Sequence, residues 1–279
     1  MAWVFVVEFV AAAAVPLDAR NGRIRGAQLA APAHGHPLGA RAPLIVGDRE
    51  IRLLRLGGPA AEALLARVAS DVGAAVDKVE AFWGVGWSRD ISVVATGSDD
   101  QFRAAAGGGA PEQWADIAAV TVADQIDPAH RVVVGQRIVF APGAAGMSAS
   151  AFRIVLTHEL FHYASRADTA LDAPRWLAEG VADFVARPNT PVPPQARSPN
   201  PSLPSDLELD TPGPQRSLAY DRAWWFARFV ADTFGTPKLR DYYLAVCGVA
   251  HVDPFTAARD VLGIDSAGLL ARWRQWMFG

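Results

Sequence analysis

Two histidines and three acids, His158, Glu159, His162, Glu179 and Asp183, have the types and spacing that suit hydrolysis at a metal ion. The first three form His-Glu-x-x-His inside the apolar run Val155–Tyr163. Residues four apart on an α-helix share a face, so His158 and His162 can ligate one ion. Glu159 lies about 100° round and is placed to reach a water on the ion rather than the ion itself. Three protein ligands leave the fourth position of zinc open. Water there has a pKa of about 7, and a neighbouring carboxylate takes its proton as it attacks a carbonyl. The third ligand has to come from downstream. Sixteen residues separate His162 from Glu179, in Pro174-Arg175-Trp176-Leu177-Ala178-Glu179-Gly180-Val181-Ala182-Asp183-Phe184. Pro174 suits a first helical turn with Asp172 as its cap, and Trp176, Leu177, Val181, Phe184 and Val185 recur with helical period. Glu179 and Asp183 then stack one turn apart. Glu179 completes a two-His, one-Glu set for one Zn²⁺, and Asp183 can accept the outer N–H of a ligating histidine, His158.

His-Glu-x-x-His followed by Trp-Leu-x-Glu-Gly-x-Ala-Asp resembles the gluzincins, the thermolysin and aminopeptidase N-like zinc metallopeptidases, and most closely small actinobacterial peptidase-MA-like proteins. The resemblance runs from about Ile45 to the C-terminus. It implies a zincin-like fold, His158, His162 and Glu179 as zinc ligands, Glu159 as general base and acid, and Asp183 as the orienting acid. The interval before Glu179 is a little shorter than in thermolysin, so one wall of the cleft differs. Tyr220 stands where aminopeptidase N-like enzymes carry an oxyanion-stabilising tyrosine; equally, it is a helix-start tyrosine packed against Trp224 and Trp225. His130 and His251 are further donors of this kind, or ordinary core or surface histidines. The Gly-x-Met-Glu-Asn string that grips a free amino terminus does not occur, which turns the expectation from aminopeptidase to endopeptidase. Zincins also pair extended peptide with an edge strand, for which residues 130–142 are the candidate; the other reading makes them an internal strand. The resembling proteins are often exported or held at the cell envelope, so the resemblance favours a place outside the cytoplasm.

With 279 residues, 51% of them hydrophobic and 20% charged, the chain can bury one sizeable core, or form a main domain with a small appendage. A net charge of −3 with dispersed basic residues argues against a nucleic-acid surface or a polybasic membrane anchor. The nine tryptophans are scattered and suit core positions rather than a stacking platform. A single cysteine, Cys247, excludes an intrachain disulfide and a cysteine zinc site, and reads as a small buried hydrophobe. A nucleophilic pair with His251 would lack an orienting partner. Residues 2–14 are apolar except for Glu8, too short to span a bilayer, and read either as a degraded signal or, at residues 3–10, as a strand.

The elements that position these residues follow from periodicity. Residues 20–41 read as a Gly/Ala/Pro/Arg-rich arm holding His34 and His36, more a solvated loop than a metal site. A hairpin over Leu44–Leu56 turns at Gly47-Asp48, and a helix follows over Pro59–Phe82. Strands are expected at Ile91–Ala95, Ile117–Val122 and Val132–Phe140, with a short helix at Asp99–Ala106. Ser148 caps the helix carrying His158, which runs to about Ala164. That helix is apolar on all sides, so its three polar residues would be costly without a role. Nine prolines between Arg187 and Pro214 exclude a long element there and leave a loop near the cleft mouth, a lid or a passive insertion. Helical segments follow near 217–234, 237–249, 253–262 and 266–277. The expectation is an α+β chain in three parts: an arm (1–43), an α/β part with a mixed sheet (44–147), and the zinc-site helices with a helical C-terminal part (148–279). The function expected is hydrolysis of peptide or protein substrates. The rivals are a zinc-retaining binding module of the cell envelope and a helical interaction domain.

Overall fold

A computed structural model describes residues 42–114, 117–199, 201–211 and 213–279. The apolar segment 2–14, the arm and His34 and His36 lie outside the described residues. The hairpin forms as β1 (Leu44–Val46) and β2 (Arg49–Leu56), with Gly47 at φ 61° in its turn. After it come α1 (Pro59–Trp83), β3 (Asp90–Thr96), α2 (Asp99–Ala105) and β4 (Ala119–Val122). A small antiparallel ribbon of β5 (Gln125–Asp127) and β6 (Val132–Val134) precedes β7 (Arg137–Phe140). The remainder is helical: α3 (Ala149–Ser165), α4 (Arg175–Ala186), the short α5 (Asp206–Asp210), α6 (Pro214–Phe234), α7 (Thr236–Cys247), α8 (Pro254–Ala257) and α9 (Ser266–Phe278). Among the described residues no helix is long and apolar enough to cross a membrane.

The main sheet has the order β1-β2-β3-β7-β4, with β2, β3 and β7 parallel and the two edge strands antiparallel to their neighbours. This corrects the expectation for residues 130–142. They divide into β6, in the separate ribbon, and β7, an interior strand; the edge beside α3 is β4. Strand alternation explains the two faces. Ile91, Val93, Ala95, Ala119, Ile138 and Phe140 face α1 and α3 in the main core, whereas Val94, Val120 and Val139 face α2 and the buried Trp114. The main core runs from Ile51 to Met277, so the parts 44–147 and 148–279 share it. Described tryptophans are buried, Trp276 only partly, and Cys247 is buried in the main core. Burial pushes the Cys247 thiol up, away from nucleophile chemistry.

The proline-rich segment builds no long element, but it is anchored. The start of α4 is capped from there rather than by Asp172. Asp206 accepts from the backbone N–H of Arg175 (3.1 Å) and Trp176 (2.8 Å), two of the orphan donors that Pro174 at the cap position leaves uncovered. Arg222 of α6 donates to the Ser202 carbonyl at 2.9 Å and pairs with Glu208, which holds α5 against α6.

Candidate metal centre

The Ser148 hydroxyl accepts from the Ala151 N–H at 3.2 Å and starts α3. From Val155 to Ser165 every residue of that helix is buried, His158 and Glu159 at 0% exposure. Its partner α4 presents Glu179 and Asp183, also buried, one turn apart. α4 comes close because residue 180 is glycine: a Cβ there would lie 2.4 Å from the Ala223 carbonyl oxygen of α6. Gly180 lets α4 seat against α6 beside Glu179.

Three ligand atoms converge between α3 and α4. His158 Nε2 lies 3.0 Å from His162 Nε2 and 3.1 Å from Glu179 Oε2, and His162 Nε2 lies 3.6 Å from Glu179 Oε1. Atoms about 2.0–2.1 Å from a tetrahedral ion stand about 3.3 Å apart, so the spacing fits one ion. The proton bookkeeping points the same way. His158 Nδ1 lies 3.0 Å from Asp183 Oδ1, and a carboxylate only accepts, so Nδ1 carries the hydrogen. Nε2 of neutral His158 is then a lone pair aimed at a carboxylate and at a second imidazole. His162 Nε2 joins these acceptors in the tautomer that carries its hydrogen on Nδ1; that convergence suits a cation, and the two-nitrogen, one-oxygen donor set suits zinc. Among the described residues His158, His162 and Glu179 form the one group of three or more His, Cys, Asp or Glu able to hold a metal ion.

Without an ion a hydrogen has to fill the gap, either on His162 Nε2 or as a second proton on His158. Burial pulls the His158 pKa down, but hydrogen bonds and charges from Asp183 and Glu179 outweigh it and raise it to about 10. Burial likewise raises Glu179, and the two histidines override it and lower it to about 2.

Asp183 is itself held. Its Oδ2 lies 3.5 Å from Arg187 Nε, the backbone N–H of Arg187 donates to the Asp183 carbonyl at 2.8 Å, and Arg187 Nη1 donates to Asp221 at 2.8 Å. The Arg187 guanidinium also lies over the Trp224 ring, 4.8 Å from its centre. Glu159 is supported from the sheet: Thr121 Oγ1 of β4 stands 2.7 Å from Glu159 Oε2 and 2.9 Å from its backbone carbonyl. Glu159 Oε1 is sealed from solvent and has no hydrogen-bond partner among the described residues. A buried carboxylate oxygen left in this state is costly, and reaction with a bound molecule is one of the few roles that explain it.

Tyr220, on α6, is half-buried and packs against the core, with no hydrogen bond to its hydroxyl among the described residues. Burial, with the charge of Glu179 behind it, pushes the Tyr220 phenol well above its ordinary pKa, which places the hydroxyl in the field of the cluster and keeps it a donor. His130 is exposed and pairs with Asp127 at 2.7 Å; His251 bonds the Gly248 carbonyl at 3.1 Å. Neither contacts the cluster. Thr121, Arg187 and Asp206 belong to the centre's support and were not singled out as such by sequence. Arg187 has a legible signal, four residues after Asp183 on one helix. Compared with known proteins, the chain matches no protein-family model and no curated protein, so the candidate metal centre is characterised by its geometry.

Proposed function

We propose that this chain is a zinc-dependent metallopeptidase of zincin-like, gluzincin-type architecture, an endopeptidase acting on extended peptide. The observation that carries the reading is the pairing of three converging ligand atoms, on His158, His162 and Glu179, with a neighbouring buried carboxylate whose Oε1 is unpartnered among the described residues. Zinc, when bound by those three residues, supplies Lewis acidity that acidifies a water and polarises a carbonyl.

The chain's own residues do the rest. Glu159 Oε1 takes the proton of the attacking water while Thr121 holds Oε2, and the water oxygen forms a bond to the peptide carbon. The same carboxyl then passes its proton to the departing nitrogen as the C–N bond breaks. Tyr220 donates its hydroxyl to the developing oxyanion. Asp183, fixed by Arg187, keeps the His158 Nδ1–H in place so that Nε2 stays a ligand. The antiparallel edge β4 carries Thr121 and lies beside α3, so substrate adds there as one more strand. A zinc-retaining binding module would need no buried Glu159 with its Oε1 left unpartnered among the described residues, which disfavours that rival.

The test is a peptide-library digest read by mass spectrometry, with wild type beside Glu159→Gln. Wild type is expected to cleave within peptides, and the variant to keep its zinc and fold while losing cleavage. Equal background cleavage by both would overturn the proposal.

A further inference from the structure

Arg166 stands at the end of α3, four residues after His162 and seven after Glu159. At 100° per residue its azimuth falls between theirs, on the face that carries the candidate metal ligands. Long helical side chains lean back toward the N-terminus, so the guanidinium runs toward the turn of His162. Its Nε is cut off from solvent with no partner, and the side chain makes no hydrogen bond or ion pair among the described residues. Of the arginines nearby, Arg187 holds Asp183 and Asp221 and Arg175 holds Asp210, whereas Arg216, beside Tyr220, shares with Arg166 a buried Nε that has no partner among the described residues. A cation at a helix C-terminus commonly serves the last carbonyls, but Arg166 bonds none of them. Burial lowers its pKa, against the pull of Tyr243, Glu159 and Glu179, so its setting is one of incomplete charge compensation. The β5–β6 ribbon forms a wall alongside, tied down by Arg131 to Asp168 and by Gln136 donating to the Tyr163 carbonyl at 3.0 Å.

We propose that Arg166 anchors a carboxylate of the substrate, so that favoured peptides carry an acidic group close to the bond that is cut. A guanidinium offers two parallel N–H donors that match the two oxygens of a carboxylate. That carboxylate is an Asp or Glu side chain, the source met within a chain by the endopeptidase proposed above, or the free C-terminus, which would instead confine cutting to the chain's end. The inference rests on the peptidase reading above, and Arg166 acts on the substrate rather than on the metal.

Matched peptides separate the sources: one pair differs as C-terminal acid against amide, another as Glu against Gln beside the scissile bond. They are assayed with zinc-loaded wild type, Arg166→Met and Arg166→Lys, with zinc content and thermal melting recorded for each. Wild type is expected to prefer the acidic member of at least one pair by about 10- to 100-fold in kcat/KM. Arg166→Met abolishes that preference with zinc unchanged, and Arg166→Lys, which also guards against a folding defect in the Met variant, keeps part of it. Equal use of both members by wild type, or an equal loss on all peptides in the variants, overturns the proposal. Calorimetric titration with glutarate keeps the two claims apart. If no peptide is cleaved, the peptidase reading fails, while glutarate binding that is lost in Arg166→Met supports the carboxylate site. Absence of glutarate binding in wild type together with absence of an acidic preference refutes it.

Discussion

Replacing Gly180 by alanine sets two effects of known sign against each other. Inside an exposed helix the change stabilises by about 1 kcal/mol, because alanine is the better helix former. Here the added Cβ would meet the Ala223 carbonyl oxygen at 2.4 Å, its carbon at 2.6 Å and its Cβ at 3.1 Å, all in the middle of α6, where no side chain can swing aside. Ordinary contact begins near 3.4 Å, so α4 and α6 have to separate by about 1 Å. Overpacking of this kind costs about 1–3 kcal/mol, so the clash cancels the propensity gain or exceeds it. The larger consequence falls on Glu179, the preceding residue, which moves with α4 while His158 and His162 stay on α3. Ligand distances tolerate only about 0.2 Å. Zinc affinity is expected to fall by about 10- to 100-fold, with little change in helix content. Competition with a chromophoric chelator measures the affinity, and thermal melting in chelator measures the metal-free fold. A variant with wild-type zinc affinity and a raised melting temperature would refute the packing argument.

Tyr220→Phe is expected to leave zinc content and KM near wild type and to lower kcat by about 100- to 1,000-fold, as loss of an oxyanion donor does; steady-state kinetics decide it. Thr121→Val removes the bond to Glu159 Oε2 and is expected to lower kcat by about tenfold with zinc retained, checked by kinetics with metal analysis. For pH, zinc has to displace the proton that His158 holds up to about 10, so zinc affinity rises by about tenfold per pH unit from about 7 toward 10. Chelator competition across that range tests the slope. In the metal-free protein the His158 shift is upward, so its stabilisation is complete below about pH 6.5 and is lost as pH rises through about 10. The Glu179 shift is downward, so its stabilisation holds above about pH 4.5 and is lost as pH falls toward about 2; chemical denaturation in chelator at both ends of the scale reads these signs.

The helices that carry the centre were legible because their signals are local. The His-Glu-x-x-His spacing, the Ser148 cap and the apolar period through Trp176 and Val181 each fall within a few turns of chain. The hairpin at Gly47 and the helix over Pro59–Trp83 were legible for the same reason. The support of the centre was less so, because it is tertiary. Thr121 reaches Glu159 across 38 residues, and Asp206 caps α4 from about 30 residues away. Period-two reading of β4 does put Thr121 on the same face as Ala119, but only the sheet order makes that the face of α3. The edge-strand assignment failed on a signal that was present: Ile138-Val139-Phe140 is continuously apolar, as strands covered on both faces are.

The proposed peptidase chemistry requires a cation between His158, His162 and Glu179. Metal analysis of the purified protein by mass spectrometry, with wild type beside Glu179→Ala, measures it directly. The prediction is close to one zinc per wild-type chain and strong loss in the variant, both with native helix content. Wild-type protein that is free of metal and cannot be loaded with zinc would contradict it.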